Sequence, residues 1–404
     1  MLIQTKNLDK IRKIIKKKNY DYLIQKPLTN LTIDFLNDFS KELKKQKNIY
    51  KYSDLTYLMF WTRKSKIESL KKKVGENIFR IGRGIIFHIC PSNVPTNFIY
   101  SFFFGLMSGN SNIIKMTSTK SVEKDIILAC IKILFNKKKY IKIKNSTHFF
   151  EYDHNLNEIT TNILSSVSDG RVVWGSDRTI NKFKKIWSPE RCIDIFFPDR
   201  YSIAVIDTLK YSNLNEKEKE ILANKFFYDS YSMNQQGCNS PHLLFWIGKK
   251  KLKAQSLFWE KLNKIIEKKF NFKEIEVVDK YLRLLETIIK NDKKFNKIIR
   301  KTNNIYVLET KNKKYQNIEN LRGLNGMFFQ INIKNLSELK SFISKKCQTL
   351  CYYGLNQTDF ELFFSDNNVL GIDRVVPIGR SLEIDTFWDG HDIIKSLSRT
   401  ILIK

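Results

Sequence analysis

Apolar positions along the chain change rhythm near Gly82. Before it, Leu31, Phe35, Leu36, Phe39 and Leu43 recur at helical spacing, followed by a lysine-rich run from Lys41 to Lys51, which predicts a mainly helical region over residues 1–80. After it, short and largely apolar runs alternate with amphipathic stretches. Ile85–Cys90, Asn112–Met116, Arg171–Trp174 and Tyr201–Ile206 read as buried strands, with helices at Pro95–Ser108, Ser121–Phe135 and Asp177–Ile186. This alternation implies right-handed crossovers and a doubly wound parallel sheet. It resumes after Asp207 with helix Asn215–Ser232, strand His242–Ile247 and helix Leu252–Phe270. The expected division is a helical region 1–80, an α/β domain 81–206, a second α/β domain 207–375 and a closing segment 376–404.

Composition narrows the class. At 404 residues, 42% hydrophobic and 13% aromatic, the chain can bury a large core, which excludes a disordered protein. Six irregularly spaced cysteines exclude a small disulfide scaffold. The formal net charge of +30 suits nucleic acid, an anionic membrane or a polyanionic small molecule. Yet the lysine runs Lys16–Lys18, Lys71–Lys73, Lys137–Lys139 and Lys249–Lys251 are scattered, and no nucleic-acid module accompanies them. Nucleic-acid binding therefore stands as an alternative on charge alone. The basic N-terminus lacks an apolar leader core, and the apolar stretch Ile85–Met107 carries Pro91, Ser92, Asn93, Pro95 and Asn97 at mid-depth. The expectation is a cytoplasmic protein with no integral membrane span and with reduced thiols.

Several turns carry candidate chemistry. Gly82-Arg83-Gly84 precedes its strand and lacks a third glycine, so it fails as a dinucleotide fingerprint and reads as a turn. Pro91-Ser92-Asn93-Val94-Pro95 follows the first buried strand and places Asn93 at its C-terminal end, where ligands of open α/β sheets bind. Gly109-Asn110 leads into a strand ending near Lys115. Trp174-Gly175-Ser176-Asp177 joins a strand to a helix, a natural phosphate seat. Asn234-Gln235-Gln236-Gly237-Cys238-Asn239-Ser240-Pro241 holds a cysteine in a polar turn, and Val375–Arg380 and Thr386-Phe387-Trp388-Asp389-Gly390 close the series. Cys90, Cys130, Cys192, Cys347 and Cys351 read as buried packing residues; Cys347 and Cys351, four apart on an expected helix, have no partners for a zinc set, so no metal is expected. His88, His148, His154, His242 and His391 need no chemical role.

In this order the motifs resemble the aldehyde dehydrogenase superfamily and, within it, the LuxC-type acyl-CoA (fatty acyl) reductases, from about Gly82 to Arg399. The resemblance implies an aldehyde-dehydrogenase-like α/β fold, with a dinucleotide-binding domain at 81–206, a catalytic cysteine domain at 207–375 and an oligomerisation segment within 376–404. Cys238 matches the catalytic nucleophile, which would attack an acyl thioester, expel the thiol carrier and become S-acylated. Asn93, with the Cys238 backbone N–H, would stabilise the oxyanion, a donor worth typically about 3 kcal/mol of barrier. Hydride from the nicotinamide then yields the aldehyde. Lys115 matches a residue at the adenosine ribose. Ser118 stands where NAD-preferring members have a glutamate, and with Lys120 just beyond, NADPH is favoured over NADH, although Lys120 also reads as a solvated lysine at a helix start. Gly175 and Ser176 would lie at the pyrophosphate.

Two departures sharpen the reaction. Hydrolytic members activate water with a glutamate in a Glu-Leu-Gly-Gly segment; here the stretch reads Phe196-Phe197-Pro198-Asp199-Arg200. Without that base an acyl-enzyme is spared hydrolysis, which favours CoA-dependent reduction over the alternative of an NAD(P)-dependent aldehyde dehydrogenase. The Glu-x-Phe-Gly-Pro motif is also not recognisable around Gly326–Phe329. The resemblance further implies long-chain fatty acyl groups, supplied as CoA thioesters or by an acyl-protein synthetase partner, release of CoA, and a homo-oligomer built through residues after Trp388. Phe98–Phe104 fits either an apolar tunnel or a buried helix face.

Overall fold

The strand Ile85–Ile89 is buried along its whole length and lies inside a six-stranded parallel sheet. The computed structural model describes residues 2–4, 23–74, 79–91, 94, 96–152, 158–249, 251–291, 295–310 and 317–404. Across this sheet the order is Leu2–Gln4, Thr147–Glu151, Ser111–Met116, Ile85–Ile89, Gly170–Trp174 and Ile193–Phe197. These strands belong to a unit formed by Met1–Asp199 and Ile384–Lys404.

The apolar sequence of helix Asn97–Met107 is explained by its place, because every residue from Phe98 to Met107 is buried. Phe102 packs edge-on against Phe35 and Phe149, and Phe103 against Phe39. Of the two readings of Phe98–Phe104, the buried face is the one observed. Helix Asn30–Lys44, capped by the Thr29 side chain, thus shares one core with the sheet. In that core His88 bonds Ser101 at 2.8 Å and Asn112 at 3.0 Å, and burial lowers its pKa to about 4.

The chain's last residues return to this unit. Ser398–Thr400 pairs antiparallel with Arg80–Gly82, so Gly82 is a strand residue, while Gly84 forms the bend at φ 144°. Asn110 accepts the amides of Arg83 and Gly84 and donates to the Leu397 carbonyl at 2.8 Å, which gives the Gly109-Asn110 motif a fold-holding role. Phe387–Trp388 and His391–Asp392 form a hairpin turned by Asp389 and Gly390, both at positive φ, as a tight two-residue turn requires.

The second unit is Arg200–Glu383. Its seven-stranded sheet runs Phe295–Lys301, Ile305–Thr310, Met327–Ile333, Pro241–Ile247, Tyr201–Asp207, Cys347–Tyr353 and Arg374–Pro377, parallel except for the first hairpin. Helices Glu216–Tyr231 and Lys251–Lys269 cover one face, and Glu274–Asn291 and Gln357–Asn367 pack on the other. Tyr201–Asp207 is a central strand here, paired with Pro241–Ile247 and Cys347–Tyr353, so the division falls at Asp199/Arg200 rather than after 206. The closing segment likewise starts at Ile384 rather than 376. Cys347 and Cys351 lie on a strand, not a helix. A register shift between Cys347 and Leu350 sends the two thiols into opposite faces of the sheet, each into a different apolar cluster.

Candidate active site

Helix Glu216–Tyr231 opens with a capping box between Asn215 and Glu218 and delivers the chain to the cysteine loop. Asn234 and Gln235 both take left-handed backbone conformations, φ 48° and 59°, which reverse the chain within two residues. The Gln235 amide is buried and fully used: it accepts the Gly326 N–H at 2.8 Å and donates to the carbonyls of Met327 at 3.1 Å and Pro241 at 3.4 Å. Asn239 donates to the Ser381 carbonyl at 2.7 Å. Cys238, between these anchors, is half-buried, and its own carbonyl accepts the Ser202 hydroxyl at 2.7 Å.

The other cysteines lie in different surroundings. Burial pushes the thiols of Cys90, Cys130 and Cys347 up to about 12 and raises that of Cys351 well above its ordinary value, while Cys192 is raised to about 11, again mainly by desolvation. His242, four residues past Cys238, is buried; desolvation and then the nearby Arg322 charge lower its pKa to about 3, so it stays neutral at working pH.

In the first unit, the expected cofactor residues lie at the C-terminal edge of the parallel sheet. Lys115, buried and one residue before the end of its strand, is in register with Ile89, which in turn pairs with Val173, one residue before Trp174-Gly175. Two strand spacings of roughly 5 Å each therefore separate the Lys115 position from the strand leading into Gly175. Ser176 caps helix Asp177–Lys185 by accepting the Thr179 amide, and a Cβ at Gly175 would stand 2.9 Å from the Thr179 side chain. Trp174 stacks on Phe197 at 3.8 Å and donates to Ser101 at 3.0 Å, fixing the approach to that turn. Ser118 and Lys120 are exposed on the loop after the Lys115 strand. Lys124, buried beneath this loop, donates to the carbonyls of Thr117 at 3.1 Å and Thr119 at 2.9 Å, with Glu151 at 3.6 Å.

The end of the Lys115 strand, the Gly175 turn and the N-terminus of helix Asp177–Lys185 therefore lie along one edge of this sheet, the edge at which ligands of open α/β sheets bind. Asn93 lies outside the described residues. Lys124, Ser202, Gln235 and Asn239 emerged from the structure. Gln235 and Asn239 flank the cysteine within the motif, whereas Lys124 and Ser202 sit in an ordinary amphipathic helix and an apolar strand that carry no local signal.

Solved structures share this architecture. Among them are a variant of proline utilization A from Bradyrhizobium japonicum, at 14% identity and TM-score 0.66, covering 99% of this chain and 46% of that one; substrate-bound AldH from Staphylococcus aureus, at 12% and 0.60, covering 98% and 93%; and aldehyde dehydrogenase 21 from Physcomitrella patens, at 12% and 0.63, covering 92% and 85%. The chain thus spans less than half of the proline utilization A chain. No curated protein sequence matches. These likenesses show the fold, an α/β architecture with parallel sheets shared with aldehyde dehydrogenase structures. Residues 63–400 match the model of the acyl-CoA reductase (LuxC) family, and the chain belongs to that family. Its reductases draw hydride from NAD(P)H. Among the described residues no helix is long and apolar enough to cross a membrane.

Proposed function

We propose that this chain reduces a fatty acyl-CoA or related acyl thioester to the aldehyde with NADPH, through an S-acyl intermediate on Cys238. The observation that carries this is the Cys238 loop itself, a half-buried thiol on a turn anchored by Ser202, Gln235 and Asn239. In the first step the Cys238 thiolate attacks the thioester carbonyl carbon. The C–S bond to CoA breaks, CoA leaves with the electron pair and takes up a proton, and the acyl group remains on sulfur. The family resemblance assigns the oxyanion to Asn93 and the Cys238 amide, which would donate hydrogen bonds to it. Held by Lys115, Gly175 and Ser176, a nicotinamide coenzyme would supply the hydride that brings the acyl carbon to the aldehyde level. The Cys238–carbon bond then breaks and the thiolate is restored.

The lack of a glutamate to activate water in Phe196–Arg200 supports reduction over hydrolysis. The strand Ile193–Phe197 ends there, and Arg200 is held by the carbonyls of Lys346 and Cys347 and by Asp373. Lys115 would hold the adenosine ribose, with Gly175 and Ser176 at the pyrophosphate. Ser118 in place of a carboxylate, together with Lys120, favours a 2′-phosphate. The acyl group is expected to be long-chain, delivered as CoA thioester or by an acyl-protein synthetase, to a homo-oligomer. Oxidation of NADPH with a panel of acyl-CoAs tests this; turnover rising with chain length and abolished in Cys238→Ala is expected. CoA-independent oxidation of aldehyde to acid would overturn it.

A further inference from the structure

Asp229 is almost wholly buried on the last turns of helix Glu216–Tyr231, yet it is used by no step above. Its two carboxylate oxygens accept two backbone amides of one turn, Gly379 at 2.6 Å and Ser381 at 3.0 Å. Gly379 sits at φ 98°, the conformation that aims both amides at the carboxylate. The Ser381 carbonyl, on the other side of that residue, accepts the Asn239 amide at 2.7 Å. Asn239 is the residue after Cys238. Two paths therefore run from Asp229 to the cysteine, one along the helix into the Asn234-Gln235 reversal and one through Ser381 and Asn239.

Burying a carboxylate is costly where a similarly shaped apolar residue would pack at no such cost. What a carboxylate adds is the ability to accept two amides at once and so define the turn. We propose that Asp229 is a positioning residue for the Cys238 nucleophile, acting by holding the Gly379–Ser381 turn against Asn239. The inference rests on Cys238 being the nucleophile. Around the carboxylate lie Arg374, which itself donates to the Ser381 and Glu383 carbonyls; Cys351 on the neighbouring strand; Lys225 one turn back, against Gly379; and Arg380, paired with Glu383. Desolvation outweighs the two amides and the Arg374 charge and raises the Asp229 pKa to about 6. Protonation removes an acceptor from the turn, so the cysteine loop loosens as pH falls through that value.

The test uses the full chain and follows CoA release in a single turnover with palmitoyl-CoA, without NADPH, from pH 5 to 9. Asp229→Asn is expected to slow acylation at least about tenfold with the concentration dependence on acyl-CoA within twofold, since a small misplacement of a nucleophile costs rate rather than binding. An acid limb with midpoint near 6 is expected in wild type and not in the variant. Asn239→Ala cuts the same path while leaving the Asp229 turn intact, and is expected to slow acylation similarly. The double variant is expected to be no slower than the worse single one. Folded Asp229→Asn or Asn239→Ala protein that acylates within twofold of wild type overturns the proposal, as do effects that multiply in the double variant. Wild-type protein that releases no CoA overturns the Cys238 reading itself, an outcome distinct from fast acylation by the variants.

Discussion

The Ser202 hydroxyl donates to the Cys238 carbonyl at 2.7 Å while accepting the Thr349 amide at 3.2 Å, so one side chain ties the cysteine loop to two central strands. Removing it frees the loop and orphans a buried amide. Ser202→Ala is expected to slow acylation of Cys238 by about tenfold and to lower stability by about 1–3 kcal/mol, the cost of an unsatisfied buried amide. Single-turnover CoA release and urea denaturation measure the two effects.

Coenzyme choice is expected to follow position 118. Ser118 is exposed on a loop held from below by Lys124. A carboxylate there repels a 2′-phosphate and accepts from a free ribose hydroxyl. Ser118→Glu is expected to raise the KM for NADPH at least about tenfold, roughly 1.4 kcal/mol, while sparing or improving NADH. Equal effects on both coenzymes would place the adenosine ribose elsewhere.

Acid stability is expected to depend on Asp38. Against the desolvation that raises it, hydrogen bonds from Lys139 at 2.8 Å and Tyr140 at 2.9 Å, with Lys137 nearby, bring its pKa to about 2. A carboxylate depressed below its unfolded value contributes stability that is present above about pH 4 and lost as pH falls toward 2. Asp38→Asn is expected to lower the melting temperature at pH 7 and to flatten its fall between pH 4 and 2. An unchanged slope in that window would assign acid unfolding to other carboxylates.

Arg171 and Asp194 join the strand that leads into Gly175 to its neighbour. The guanidinium is 2% exposed, makes two 2.6 Å bonds to the carboxylate and donates to the Ile186 carbonyl at 2.9 Å. Asp194 lies at the surface, so Asp194→Ala leaves a buried cation that keeps the Ile186 carbonyl and is expected to destabilise by about 1–3 kcal/mol. Replacing both residues together by apolar ones is expected to cost less, as denaturant titration will show.

Much of the architecture was legible because parallel strands buried on both faces leave an unmistakable apolar rhythm. Ile85–Ile89 and Pro241–Ile247 are such cases. Tyr201–Asp207 was legible as a strand but not as a member of the second sheet, since pairing with Pro241–Ile247 and Cys347–Tyr353 is a tertiary choice that no local pattern records. The strand Cys347–Tyr353 was misread because a bulge breaks its alternation. At the site, the cysteine loop and the Gly175 turn were visible as motifs. Their supports were not: Ser202, Lys124 and Asp229 act across distances of 36, 7 and 150 residues, through partners that folding alone brings together.

Whether Cys238 carries the acyl group is read by intact-protein and peptide mass spectrometry after mixing the chain with palmitoyl-CoA, without NADPH. One acyl group on the peptide containing Cys238, equimolar CoA release, loss of the label in Cys238→Ala, and discharge of the label as aldehyde when NADPH is added are expected. Acylation that persists undiminished in Cys238→Ala, or that maps to another cysteine, would contradict Cys238 as the nucleophile.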